Sequence, residues 1–179
     1  MKGILFTEFL ELTEEKYGLE IVQRIIDECD LKSDGVYTAI GNYTHKEFFI
    51  ILNKIAEINQ QEINSILEDF GNHFLWVLSK SYPVFFKKEN TFEFLKSIDN
   101  YIHPTVLKLY PKAELPRFES IQTDRGELKL TYYSSRKMAS FALGLIKASG
   151  TFFKEEIKVD IEKELLDGEE VIIKIRYEK

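Results

Sequence analysis

The chain has 179 residues, enough for one domain with a core of its own and a ligand pocket inside it. At 44% hydrophobic and 30% charged, with 9 Gly and 4 Pro, it is not a disordered, collagen-like or low-complexity protein. The formal charge of -6 with scattered basic residues excludes a nucleic-acid footprint, and the single cysteine, Cys29, excludes a disulfide scaffold and fits the reducing cytosol. No apolar run approaches the roughly 20 residues of a membrane span. Glu8 and Glu11 break up what would be the core of a signal peptide, so a cytoplasmic protein is expected. Aromatic content is high, with 14 Phe and 9 Tyr, which suits the lining of a large flat apolar ligand.

Ile4, Leu5, Phe9 and Leu12 predict a first helix, and Ile21, Val22, Ile25 and Ile26 a second, separated at Tyr17-Gly18. The pattern stops around Lys32-Ser33-Asp34-Gly35. Thr44 then caps a third helix, with Glu47 three residues on as a capping box and Phe48, Ile51, Leu52 and Ile55 as its stripe. A fourth helix runs from about Gln61 to Ser79 on Ile63, Ile66, Leu67, Phe70, Phe74 and Leu78, ahead of Pro83. Gly71 inside it predicts a kink or close packing. From Thr91 to Tyr110 a long helix carries Leu95, Ile98, Ile102, Val106 and Leu109.

After Pro116 the period becomes two. Phe118 and Ile121, then Glu127 to Ser134, predict a hairpin turning at Asp124-Arg125-Gly126. Lys137 to Ser149 returns to helix, with Phe141, Leu145 and Ala148 on one face. Ile157, Val159 and Ile161 alternate again, followed by Val171, Ile173 and Ile175 across Asp167-Gly168. The fold class is α+β: a helical N-terminal subdomain, about 1–63, packed on a subdomain of helices and a small antiparallel sheet, about 64–179.

Chemistry has few carriers. Of three histidines, His45 reads as a surface residue beside a cap, while His103 sits within the apolar stripe of its helix with Asp99 one turn before it. Pro104 follows at once, which predicts a local kink or a fresh helical turn. In Tyr132-Tyr133-Ser134-Ser135-Arg136, strand alternation puts Tyr132, Ser134 and Arg136 on one face. A phenol, a hydroxyl and a guanidinium can together satisfy carboxylates, and a surface strand with ordinary polar decoration would look the same. No Ser-His-Asp order, metal-carboxylate cluster or phosphate-binding Gly loop stands in a fitting context, so an enzyme is not expected.

The Tyr-x-Ser-x-Arg pattern, about thirty residues after a helical histidine, resembles the haem-propionate motif of the H-NOX (haem nitric oxide/oxygen binding) domains. The resemblance extends along nearly the whole chain: Met1-Lys2-Gly3-Ile4, Tyr101-Ile102-His103, Lys108-Leu109-Tyr110-Pro111, Leu115-Pro116-Arg117 and Gly144-Leu145-Ile146. It implies a haem b buried between the two subdomains, with His103 as the axial iron ligand and Tyr132, Ser134 and Arg136 as donors to its propionates. A backbone carbonyl near Asp99 would hold the second ring nitrogen of His103. Leu5 and Pro116 resemble the pair that presses on the macrocycle, and Leu145 would join the lining.

Oxygen-binding members carry a distal tyrosine, a tryptophan and an asparagine, and the matching positions here are Phe141, Phe9 and Phe74. The resemblance therefore implies a nitric oxide sensor that also binds carbon monoxide, does no catalysis, and signals by loosening the iron bond to His103 and shifting the subdomains. With no room for an attached effector, the expected partner is a separate histidine kinase or diguanylate cyclase. The zinc site of some bacterial members is not expected, because no cysteine follows position 29. The alternatives are an oxygen sensor, or a module of the same fold that binds an apolar molecule other than haem.

Overall fold

The computed structural model describes residues 1–123 and 126–178. Its helices are α1 (Gly3–Tyr17), α2 (Leu19–Glu28), α3 (His45–Asn59), α4 (Ile63–Ser81), α5 (Thr91–Ser97), α6 (His103–Leu109) and α7 (Ala139–Phe153). Its strands are β1 (Arg117–Gln122), β2 (Glu127–Tyr133), β3 (Ile157–Leu165) and β4 (Glu170–Tyr177). The strands form one antiparallel sheet in the order β1-β2-β4-β3, so the α+β expectation holds. The chain divides into two compact units, Met1–Phe70 and the part from Gly71 onward, with the division inside α4.

In the first unit, Gly18 separates α1 from α2 at φ 88°, a conformation that favours a residue without a Cβ. Phe6 and Phe9 on α1 are buried, whereas Ile4 and Leu5 are half-buried. The rings close-pack: Phe6 stacks on Tyr37 at 4.5 Å, and Phe9 lies 4.7 Å from Phe48 and 4.9 Å from Phe70. Much of the aromatic excess is therefore core, not only ligand lining.

Thr44 caps α3 by accepting the Lys46 N–H. The capping box does not form as expected. Glu47 is 3% exposed, and its Oε1 accepts from the Ser33 N–H, the Ser33 hydroxyl and the Tyr37 hydroxyl. The loop before α3 supplies donors that a buried carboxylate needs, and they outcompete the exposed helix end.

In the second unit, the inward row of β2, Leu128, Leu130 and Tyr132, meets Val171, Ile173 and Ile175 of β4. These pack with Phe92, Phe94 and Leu95 of α5 and with Ala142, Leu143 and Ile146 of α7. Ile121 of β1 points outward and is exposed, while Phe118 is half-buried. The expected turn residues Asp124 and Arg125 lie outside the described residues. The second hairpin turns at Asp167 (φ 53°) and Gly168 (φ 85°), as the sequence predicts.

Candidate functional site

The expected long helix from Thr91 to Tyr110 forms, but not as a uniform α-helix. Pro104 offers no N–H to the Asn100 carbonyl, and its ring would press on that carbonyl in an unbroken helix. The chain answers with a π turn over Ile98–Ile102, in which the His103 N–H reaches back to Ile98 O. His103 keeps helical angles (φ -59°, ψ -45°), and Pro104 falls in the first turn of α6, where a missing donor costs little. The distortion sits upstream of the histidine, and a fresh helical turn begins at it.

The His103 side chain is only 17% exposed. Its Nδ1 lies 3.2 Å from Asp99 Oδ1, and the same oxygen accepts the Phe118 N–H of β1 at 3.1 Å. An oxygen that already accepts an amide leaves Nδ1 to donate, so the lone pair resides on Nε2. The sequence reading put a backbone carbonyl at this point. The structure puts the Asp99 carboxylate there instead, because side chains four residues apart share a helix face. Burial pushes the imidazole below its ordinary 6.5, and the Asp99 hydrogen bond and charge pull it partly back.

The Phe118 ring continues the site, 6.0 Å from the His103 ring and 5.5 Å from that of Tyr132. The sequence reading named Asp99 only as the place of a nearby carbonyl and Phe118 only as a strand residue; the four-residue spacing of Asp99 from His103 was the available signal for its carboxylate. A cleft of about 320 Å³ borders Asp99, Asn100, Arg117 and Phe118, but His103 does not line it.

Tyr132, Ser134 and Arg136 do come together, though not by strand alternation. β2 ends at Tyr133, and Ser134 starts a turn that its hydroxyl and carbonyl hold, accepting from the Arg136 and Lys137 amides. The Ser134 N–H is tied to Glu169 O. Tyr132 is 2% exposed, and its hydroxyl accepts the Met138 N–H at 3.1 Å. Burial raises this phenol above its ordinary value, opposed by a hydrogen bond from Ser134, by Met138 and by the charge of Arg136. Arg136 is mostly buried and donates through Nη2 to the carbonyl and the carboxylate of Glu114, each at 2.8 Å. The Glu114 side chain is itself largely exposed.

On the helices, Phe74 of α4 and Phe141 of α7 pair at 5.8 Å between ring centroids. Leu145, one turn beyond Phe141, and Pro116, just ahead of β1, are half-buried. Leu5 and Phe9 belong to the first unit, where Phe9 is part of the aromatic core. His45 is exposed, as expected. Among the described residues no group of three or more His, Cys, Asp or Glu side chains could hold a metal ion.

A haem iron asks of a protein one imidazole nitrogen with an available lone pair, and its propionates ask for hydrogen-bond donors and a cation. His103 Nε2 meets the first demand. Tyr132, Ser134 and Arg136 meet the second, so the residues present fit the group.

The family model described as Haem-NO-binding matches residues 2–161. The chain is similar to the H-NOX protein from K. algicida in its Fe(II) unliganded state, at 39% identity and a TM-score of 0.94, covering 100% of this chain and 97% of that one. A mutant of the same protein gives 40% identity and a TM-score of 0.95 over the same spans. The H-NOX protein from S. oneidensis in its Fe(II)NO state, at 22% identity, shares the fold with a TM-score of 0.92 over 100% of both chains. Comparison with curated proteins gives no match. The chain belongs to the H-NOX family of haem-based gas-sensing domains. No described helix is long and apolar enough to cross a membrane.

Proposed function

We propose that this protein is a nitric oxide sensor that holds haem b through His103 and regulates a separate signalling protein, a histidine kinase or a diguanylate cyclase, without catalysis of its own. The observation that carries the reading is the state of His103: a mostly buried imidazole with Nδ1 occupied by Asp99 and Nε2 left for iron. Haem, when bound, would supply an iron able to take nitric oxide or carbon monoxide and, with nitric oxide, to loosen its hold on His103.

Each side chain then has a part. Tyr132, Ser134 and Arg136 receive the propionates, with Arg136 exchanging its exposed Glu114 partner for one of them. By the family resemblance, Pro116 would press on the macrocycle and Phe74, Phe141 and Leu145 of the second unit would line the gas pocket, while Leu5 and Phe9 of the first unit keep the parts the resemblance implies for them. These side chains offer a bound gas no hydrogen bond, which disfavours oxygen more than nitric oxide. Release of His103 frees the π turn and α6, and a partner reads the change only through contacts that differ between the two states.

The test is His103→Gly. The variant is expected to lose haem or to need added imidazole to keep it. An unchanged ferrous absorption spectrum without imidazole would remove His103 from the site.

A further inference from the structure

The helix that presents His103 is built in two unlike halves. Ahead of the π turn, Thr91, Phe92, Phe94, Leu95 and Ser97 of α5 are all buried. Beyond it no residue of α6 is buried, and Leu107 and Leu109 stand 41% and 58% exposed. The π turn that joins the halves buries no side chain either.

The buried half is also tied down at its start. A helix leaves its first amides without partners inside it, and α5 finds them elsewhere. The Glu93 N–H donates to Asn90 Oδ1 at 2.9 Å, and the Thr91 N–H donates to Glu155 Oε2 at 2.8 Å, across a separation of 64 residues. The end of α7 places that carboxylate: Lys154 turns the chain in a left-handed conformation (φ 59°), and the Glu155 N–H folds back onto Gly150 O. Gly150 makes room for the turn, since a Cβ there would come within 2.6 Å of the Ile157 side chain. Thr91 Oγ1 is buried without a hydrogen-bond partner, so the amide, not the hydroxyl, makes the tie. Next to it, Phe92 stacks on Tyr177 of β4 at 4.4 Å.

We propose that Glu155 is a positioning residue that anchors the start of the axial helix, so that the π turn is its pivot and a change at His103 moves α6 and not α5. The inference rests on the haem reading above.

The tie is of the strong kind, because the acceptor is a carboxylate and it faces the positive end of the helix. Displacing α5 would break that bond and expose its apolar side chains, whereas α6 has little packing to lose. Motion therefore divides at the π turn. With α5 anchored, the imidazole cannot follow the iron as the bond between them loosens, and the displacement passes into α6. A helix free at its start would shift as a whole and let the ring follow. Glu155 thus favours the parting of His103 from iron while touching neither.

Two variants test this. Glu155→Gln keeps an acceptor without the charge, and Glu155→Ala removes both. In the protein as purified, amide exchange at Thr91 should be faster by on the order of tenfold in Glu155→Ala and by less in Glu155→Gln, with exchange across α6 unchanged. In the ferrous protein given nitric oxide, the share of haem that keeps His103 should rise from the parent through Glu155→Gln to Glu155→Ala. A general loss of rigidity would weaken the hold on iron and lower that share instead.

Thr91 exchange equal to the parent's in both variants would overturn the anchor, and a share of retained His103 that stays level or falls would overturn its action on the ligand. Should Glu155→Ala fail to fold, Glu155→Gln carries the same measurements at smaller amplitude. A parent protein that takes up no haem would defeat the haem reading, while exchange at Thr91 and across α6 would still decide the anchor and the pivot.

Discussion

Gly71 of α4 lies against the backbone of Phe141 on α7, so closely that a Cβ placed on Gly71 would come within 2.1 Å of the Phe141 carbonyl oxygen. The expected consequence of this glycine, a kink or close packing, is resolved as close packing. It also brings Phe74, one turn further along α4, against the Phe141 ring at 5.8 Å.

Gly71→Ala must therefore push the two helices apart, because the obstacle is backbone and cannot rotate away. Overpacking of this kind costs about 1–3 kcal/mol, against about 1 kcal/mol gained from the better helix propensity of alanine. A net loss of about 1 kcal/mol is expected in denaturant unfolding, together with faster gas exchange as the Phe74–Phe141 pair opens. An unchanged or raised unfolding midpoint would show that the contact is not tight.

Alkaline pH tests the buried cluster of the first unit. Burial raises the Tyr37 phenol well above its ordinary 10.0, and the Glu47 hydrogen bond and charge push the same way, against a hydrogen bond from Ser33. Above pH 10 the unfolded chain gives up this proton while the folded chain keeps it, so the unfolded state binds fewer protons and stability falls as pH rises. Tyr37→Phe should flatten that decline and cost about 1 kcal/mol at neutral pH through the lost bond to Glu47. Tyr132, also raised by burial, leaves a residual slope in the variant. Equal alkaline slopes for the two proteins would exclude Tyr37 as a source.

Under the proposed function, gas selectivity would rest on Phe9, Phe74 and Phe141, whose side chains offer no hydrogen-bond donor. Bound dioxygen carries partial negative charge and gains on the order of 1 kcal/mol or more from a donor, which nitric oxide needs far less. Of the groups that could supply one instead, Asn72, His73 and Tyr133, the Tyr133 hydroxyl donates to Glu119 on the outward face of the sheet and Asn72 is exposed, which leaves His73, half-buried on α4, as the alternative. The ferrous protein should give no lasting oxygen complex in air, and Phe141→Tyr should move it toward oxygen binding. A persistent oxygen spectrum in the parent would contradict this reading.

The helices and the hairpins were legible because Phe48, Ile51, Leu52 and Ile55, or Val171, Ile173 and Ile175, repeat at the period of the element they form. The motif carrying Tyr132, Ser134 and Arg136 was legible as a pattern, but its geometry was not. Ser134 leaves the strand because its hydroxyl and carbonyl close a turn, a local hydrogen-bond choice that alternation does not encode. Pro104 announced a distortion without saying where it would fall. The partners of Glu47 depend on which donors tertiary packing brings near, so Ser33 emerges only in three dimensions, whereas the four-residue spacing of Asp99 from His103 was in the sequence and only the choice of carboxylate over backbone carbonyl was not.

The central claim, a haem held by His103 that reports nitric oxide, is tested most directly by the absorption spectrum of the purified ferrous protein before and after nitric oxide. The account predicts a Soret band in the ferrous state that shifts on addition of the gas as the iron loses His103. A colourless protein, or a haem spectrum that nitric oxide leaves unchanged, would contradict it.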